Sequence, residues 1–217
     1  LEKKEMARKQ GKFVVIEGGD YCGKTTFAEQ LGRILALQHD TSIQQCRLPG
    51  TGSVGERIRD ILVNYELDDI TRECLFKANR RVVAQSIQPL MNSGITAICT
   101  RWIQSAEVYQ QDAQPLRDLM QPDYPDLVPD VFILLHVSDE TFNKAYLSKN
   151  DHDLLGNENI VDYKAVQERY NEAFDRFSGT KFKIEYNTGA SKPISDEHFE
   201  LLYKGLINSI LDIRNGT

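Results

Sequence analysis

Cysteine is scarce and scattered: Cys22, Cys46, Cys74 and Cys99 are the four in 217 residues, and no two of them form a C-x-x-C pair. That spacing argues against a zinc site, and with no secretory hydrophobic region ahead of them the expectation is reduced thiols inside a cell. Long apolar runs are missing too. The longest, Val131 to Leu135, falls far below the roughly 20 residues of a membrane-spanning helix, so a soluble, cytoplasmic protein is expected. Positive charge is outnumbered: 26 Lys and Arg against 32 Asp and Glu give a net charge of −6. Such a balance leaves room for isolated basic pockets, but it speaks against a nucleic-acid carrier or a protein held on acidic membranes. Phosphate binding has to be local. No internal repeat or low-complexity tract appears.

What is present suits one compact α/β domain, because 41% hydrophobic residues can build a core in a chain of this length. Residues 1–12 are charged and lack periodicity. They are expected to be a disordered or expression-derived leader, so the domain is set at 13–217. Within it, short apolar runs at Phe13–Ile16, around Ile43 and Cys46, at Ile95–Cys99, at Val131–Val137 and at Phe182–Tyr186 read as strands. Helical spacing separates them: Phe27 to Leu35; Val54 to Leu62; a helix from about Arg72, with Thr71 as its candidate cap and Leu75, Ala78, Val82, Val83 and Ile87 on its apolar face; Tyr163 to Phe177; and one closing helix from Phe199 to Leu211. Residues 112–129, rich in Pro, Asp and Gln, read as an irregular excursion, and the polar stretch 148–160 as a mobile lid. Strands alternating with helices predict a parallel sheet covered on both faces, a three-layer αβα fold.

The stretch on which the rest depends is Phe13 to Thr26, in which a buried strand runs into a glycine-rich turn and then a helix. Gly18, Gly23, Lys24 and Thr25 fit the G-x-x-x-x-G-K-[ST] pattern. In that pattern backbone N–H groups from Gly18, Gly19, Asp20, Tyr21, Cys22, Gly23, Lys24, Thr25 and Thr26 converge on a polyphosphate. The lysine reaches the outer phosphates, and the threonine hydroxyl offers Mg²⁺ a ligand. The dipole of the following helix reinforces anion binding at the same place. This predicts ATP and Mg²⁺.

Other stretches narrow the class. Glu17-Gly18-x-Asp20-x-x-Gly23-Lys24-Thr25-Thr26 resembles the loop of thymidylate kinases, Arg47-x-Pro49-Gly50-Thr51 their R-x-P segment, and Leu75-Phe76-x-Ala78-Asn79-Arg80 their L-F-x-A-[ND]-R helix. Arg101-Trp102 with Ser105-x-x-x-Tyr109-Gln110 resembles their D-R-Y…S-x-x-A-Y-Q segment, and Pro129-Asp130 also fits. The resemblance runs from Phe13 to about Phe177. It implies a P-loop nucleoside monophosphate kinase fold with a five-stranded parallel sheet, a homodimer packed through helices, and phosphoryl transfer from ATP to dTMP. Arg47 and Arg101 leave strand ends where guanidinium forks can clamp the acceptor phosphate. By resemblance, Phe76 stacks on the pyrimidine, Arg80 donates to a base carbonyl, Asp20 binds the sugar hydroxyl, and Tyr109 packs where a ribose 2′-hydroxyl would clash. Pro49 and Ser105 complete the acceptor site.

Two departures stand out. Thr100 occupies the place of the acidic residue in the family's D-R-Y, so Asp20, Glu17 or another carboxylate is the expected substitute near the metal. No arginine stands in the loop, where Tyr21 sits, or between Asp139 and Gln167; Lys149, with Lys24 and Arg101, is the expected source of catalytic charge. Alternatives are a kinase for dUMP or dCMP, and a catalytically weak nucleotide-binding regulatory module.

Overall fold

A computed structural model describes residues 10–119, 127–148, 160–187 and 194–212. Among them five strands, β1 (Phe13–Glu17), β2 (Ile43–Arg47), β3 (Thr96–Thr100), β4 (Val131–His136) and β5 (Thr180–Glu185), form one sheet in the order β2-β3-β1-β4-β5. Every pairing is parallel. The three-layer αβα fold expected from alternating strands and helices is therefore what forms. None of the described helices is long and apolar enough to cross a membrane.

Alternation along β1 explains the layering. Val14 and Ile16 face a cluster with Phe27, Leu31 and Leu35 of α1 (Lys24–Gln38), while Phe13 and Val15 face Val83 and Ile87 of α3 (Asp69–Asn92). All these side chains are at most 1% exposed; burying each stabilises the fold by roughly 1.5–3 kcal/mol before entropy is counted. Asp130, ahead of β4, fixes the start of β1: its carboxylate accepts from the Phe13 amide at 2.7 Å, and its own amide donates to the Phe13 carbonyl at 2.8 Å.

Several boundaries differ from those read in the sequence. Gly11 and Lys12 already belong to the packed chain, the Gly11 amide donating to the Met91 carbonyl at 2.8 Å and the Lys12 amide to Thr96 Oγ1 at 3.2 Å. Helix α2 (Gly52–Asn64) buries Ile58 and Leu62 but leaves Val54 and Ile61 exposed. Helix α3 starts three residues before Arg72, because Asp68 and not Thr71 is the cap: the Asp68 carboxylate accepts from the Thr71 amide at 2.7 Å. Its inward face is partly polar. Glu73, Asn79 and Arg80 are buried, whereas Ala78 is exposed.

After α4 (Ile103–Tyr109) the segment expected to be irregular contains a 3₁₀ turn (Gln111–Ala113) and α5 (Gln114–Leu119), which tolerates Pro115 in its first turn. Then come α6 (Asp139–Ser148), with Ser138 Oγ accepting from the Thr141 amide at 3.3 Å, and α7 (Ile160–Arg176). Most of the expected lid, residues 149–159, lies outside the described residues. The closing helix is two helices, α8 (Asp196–Leu202) and α9 (Lys204–Leu211), broken at Tyr203. Tyr203 packs edge-on against Phe27 and Phe199, with ring centres 5.3 and 4.6 Å away. That packing turns the chain where periodicity alone suggests continuity.

Candidate active site

The loop between β1 and α1 is held closely by its own lysine. Lys24 Nζ donates to the Gly18 carbonyl at 2.9 Å and also to the Gly19 carbonyl, which places the ammonium across the loop. Gly23 sits in the left-handed region, φ 80°, and a Cβ there would lie 3.0 Å from the Tyr186 ring, so glycine is required both by the turn and by the neighbour. Cys22 is fully buried beneath the loop, and burial pushes its thiol above the ordinary value against the pull of Lys24. It contributes backbone, not a nucleophile. Thr25 is exposed at the start of α1.

A cleft of about 550 Å³ opens beside this loop. Its walls bring together Asp20, Tyr21, Gly23, Lys24, Thr25 and Thr26 with Arg47 and Pro49 after β2, Phe76 and Arg80 of α3, Arg101 after β3, and Ser105 and Tyr109 of α4. Of the expected site residues, Gly18, Gly19 and Cys22 lie outside those walls, and Lys149 lies outside the described residues. Arg59, Arg72 and Gln110 line the cleft without having been singled out as site residues. Gln110 stands inside the Y-Q motif. No periodicity distinguishes the other two from surface arginines.

Arg101 is held from several sides. Its backbone is left-handed, φ 68°, at the carboxyl end of β3. Its guanidinium pairs with Asp20, lies 5.1 Å from the centre of the Tyr109 ring, and reaches Ser105 Oγ and the Tyr170 hydroxyl at 3.4 Å each. Burial opposes its charge, but Tyr109, Asp20 and Tyr170 outweigh burial and hold its pKa well above the usual range. Arg47 is placed differently. It is 57% exposed and pairs with Glu56 at 3.0 Å, so its side chain stands at the rim. That hydrogen bond keeps the Glu56 carboxyl below the ordinary range.

Phe76 and Arg80 are one helical turn apart on α3. Arg80 is aimed by Glu73, 2.6 Å away, both side chains at most 3% exposed. Tyr21 packs edge-on against Phe142 and Tyr146 of α6, with ring centres 5.6 and 5.9 Å away. Lys144, also on α6, pairs with Glu140 at 2.6 Å on an exposed face.

The donor set near Thr25 suits Mg²⁺ better than a metal held by protein alone. Among the described residues no group of three His, Cys, Asp or Glu side chains could hold an ion. Glu17, one expected substitute for an acid at Thr100, has both oxygens engaged by hydrogen bonds from Trp102, Ser105 and Tyr170. Asp20 is turned to Arg101. An ion that takes its ligands from phosphates, water and one threonine hydroxyl fits such a site.

A parallel sheet with a G-x-x-x-x-G-K-T loop leaving its central strand, and a cleft beside that loop lined by several arginines, defines a P-loop nucleotide-binding protein of the phosphotransferase kind. Residues 16–197 match the family model for thymidylate kinase. The chain belongs to the thymidylate kinase family. It is 31% identical over 175 residues to a thymidylate kinase of Rickettsia africae, covering 78% of this chain and 86% of that one. It is 32% identical over 169 residues to one of a Thermoanaerobacter species, covering 74% and 82%. Among solved structures, a thymidylate kinase from Candida albicans superposes with a TM-score of 0.69 at 22% identity, covering 96% of both chains. One from Ehrlichia chaffeensis does so at 0.66 and 22%, covering 91% of this chain and 98% of that one. At such identities the structures bear on the fold.

Proposed function

We propose that this protein is an ATP-dependent thymidylate kinase that transfers the γ-phosphoryl group of ATP to dTMP, giving dTDP and ADP in the cytoplasm. The observation that carries the reading is Arg101, locked by Asp20, Tyr109 and Ser105 at the mouth of the loop that bears Lys24. An acceptor phosphate held by Arg101, with Arg47 at the rim, lies beside the donor phosphates. A phosphate oxygen of dTMP forms the new bond to the γ-phosphorus as the bond to the ADP oxygen breaks, so the work of the protein is alignment and charge.

Lys24 and the amides from Gly18 to Thr26 receive the donor phosphates. The Thr25 hydroxyl would hold Mg²⁺ together with water, and the ion would supply charge neutralisation on the transferring group. Losing one such charge costs about 3 kcal/mol at the transition state. Phe76 supports the base, Arg80 donates to a carbonyl of thymine and not to the amino group of cytosine, Asp20 meets the sugar hydroxyl, and Tyr109 disfavours a 2′-hydroxyl. Lys149 is assigned the role of the missing loop or lid arginine, and 148–160 that of the lid. The exposed Val54, Ile61, Tyr65 and Ile70 on and beside α2 support a homodimer packed through helices. Nucleic acid and membranes are not assigned as partners.

The test is steady-state ADP formation with ATP and Mg²⁺ on dTMP, dUMP, dCMP and the ribose analogue of TMP, with Lys24→Ala as blank. Turnover on dTMP that vanishes in the variant supports the reading. Binding of ATP and dTMP with no turnover on any acceptor overturns it in favour of a nucleotide-binding module.

A further inference from the structure

The last residue of β1 carries a carboxylate that phosphate binding does not use. Glu17 is fully buried, where an ionised carboxylate is costly unless its lone pairs are met by donors. All of them come from two elements. The Trp102 and Ser105 amides donate to Oε1 at 2.6 and 3.1 Å, and the Ser105 hydroxyl and the Tyr170 hydroxyl donate to Oε2 at 2.6 and 3.1 Å. Trp102 directly follows the left-handed Arg101 and Ser105 lies one helical turn further on, so Glu17 fixes the chain just after the residue from which the guanidinium projects.

Tyr170 comes from the far side, on α7, and is 1% exposed. Its hydroxyl lies 2.9 Å from Ser105 Oγ and 3.4 Å from Arg101 Nη1. A carboxylate only accepts, so it draws the protons of both hydroxyls and turns their lone pairs toward the guanidinium. Arg101 thus has its two sides treated separately: Asp20 takes Nη2, while Ser105 and Tyr170 receive Nη1.

We propose that Tyr170 is a positioning residue for Arg101, its hydroxyl setting the rotamer of the guanidinium through Ser105 and Glu17. This rests on Arg101 being the acceptor-phosphate clamp. Removing the hydroxyl leaves the fold intact, because α7 is held on α4 by other bonds: Arg169 Nη1 donates to the Val108 carbonyl at 3.1 Å, and Arg176 pairs with Glu107 at 3.1 Å. Glu17 also keeps three of its four donors.

The experiment uses the full chain labelled with ¹⁵N, reading arginine Nε–Hε signals by NMR alongside dTMP kinetics. Arg101→Lys assigns the Arg101 signal. Tyr170→Phe is expected to shift and broaden that signal, to raise KM for dTMP while leaving KM for ATP unchanged, and to lower kcat/KM for dTMP about tenfold, the size of one hydrogen bond to a charged group. In the Arg101→Lys background Tyr170→Phe should cause no further loss. Tyr163→Phe removes another buried hydroxyl of α7, one bonded to Val137, and should leave the Arg101 signal in place. An Arg101 signal unmoved by Tyr170→Phe overturns the proposal, as does a loss that multiplies in the double variant. Wild-type protein without turnover would sink the kinase reading, and the spectra would then decide this one alone.

Discussion

Asn79 and Gly50 are joined by two hydrogen bonds, the Gly50 amide donating to Asn79 Oδ1 at 2.9 Å and Asn79 Nδ2 donating to the Gly50 carbonyl at 3.1 Å. Both backbone groups are buried, so a side chain from α3 completes the loop that carries Pro49 into the cleft. Asn79→Ala leaves two buried backbone groups unmet and is expected to cost about 2 kcal/mol in urea unfolding. The acceptor KM should rise with it, because the loop loses its anchor.

The Glu73 and Arg80 pair is buried and close. Glu73→Ala leaves a buried guanidinium without the carboxylate 2.6 Å away, and a loss of about 3–5 kcal/mol is expected. Replacing both, with Glu73→Leu and Arg80→Met, should recover most of that stability while weakening discrimination between dTMP and dCMP. Urea midpoints and acceptor competition check the two halves.

Two helical glycines predict opposite signs for the same substitution. A Cβ at Gly55 would lie 2.0 Å from the Gly50 carbonyl oxygen, whereas one at Gly205 meets nothing within 4 Å. Alanine is the better helix former by about 1 kcal/mol. At Gly205 that gain stands alone, and Gly205→Ala should raise the melting temperature. At Gly55 the clash is with backbone that cannot swing aside, so Gly55→Ala should destabilise by about 1–3 kcal/mol and displace α2.

His136 supplies a pH dependence. Desolvation at the end of β4, with Lys183 nearby, lowers its pKa from the ordinary 6.5. The unfolded chain therefore binds a proton that the folded chain refuses between 6.5 and that lower value. Stability contributed by neutral His136 is present above pH 6.5 and is lost as pH falls through the window. Melting temperatures measured from pH 7.5 down to 5.5 should decline less in His136→Gln than in the wild type.

Strands and the phosphate loop are legible in the sequence because each rests on a local signal: β-branched runs for Val14–Ile16 and Ile98, glycines and Lys24 for the turn. The motifs likewise mark Phe76, Arg80, Arg101 and Tyr109 as neighbours, and the cleft gathers them. What escapes is whatever depends on partners distant in sequence. An apolar-face reading of α3 cannot place Glu73, Asn79 and Arg80 inward, since their burial is permitted by one another and by Gly50. Thr71 reads as the cap of α3, and only the hydrogen bond to its amide shows that Asp68 takes that place. Glu17 reads as a possible metal ligand, and only the arrival of Ser105 and Tyr170 makes it a structural acceptor.

Arg47 and Ile16 share one row of the sheet with Thr100, each being its partner in register on either side. The roots of two arginines that line the cleft, Arg47 and Arg101, are therefore one strand spacing and one residue apart, dimensions of about 4.8 and 3.3 Å that backbone hydrogen bonds enforce. A span anchored this way does not widen when helices rock over it. Sequence drift that retunes which nucleotide is accepted must act on the side chains ringing this edge, because one residue added to or removed from β3 would move Arg101 out of step and reverse every side chain behind it.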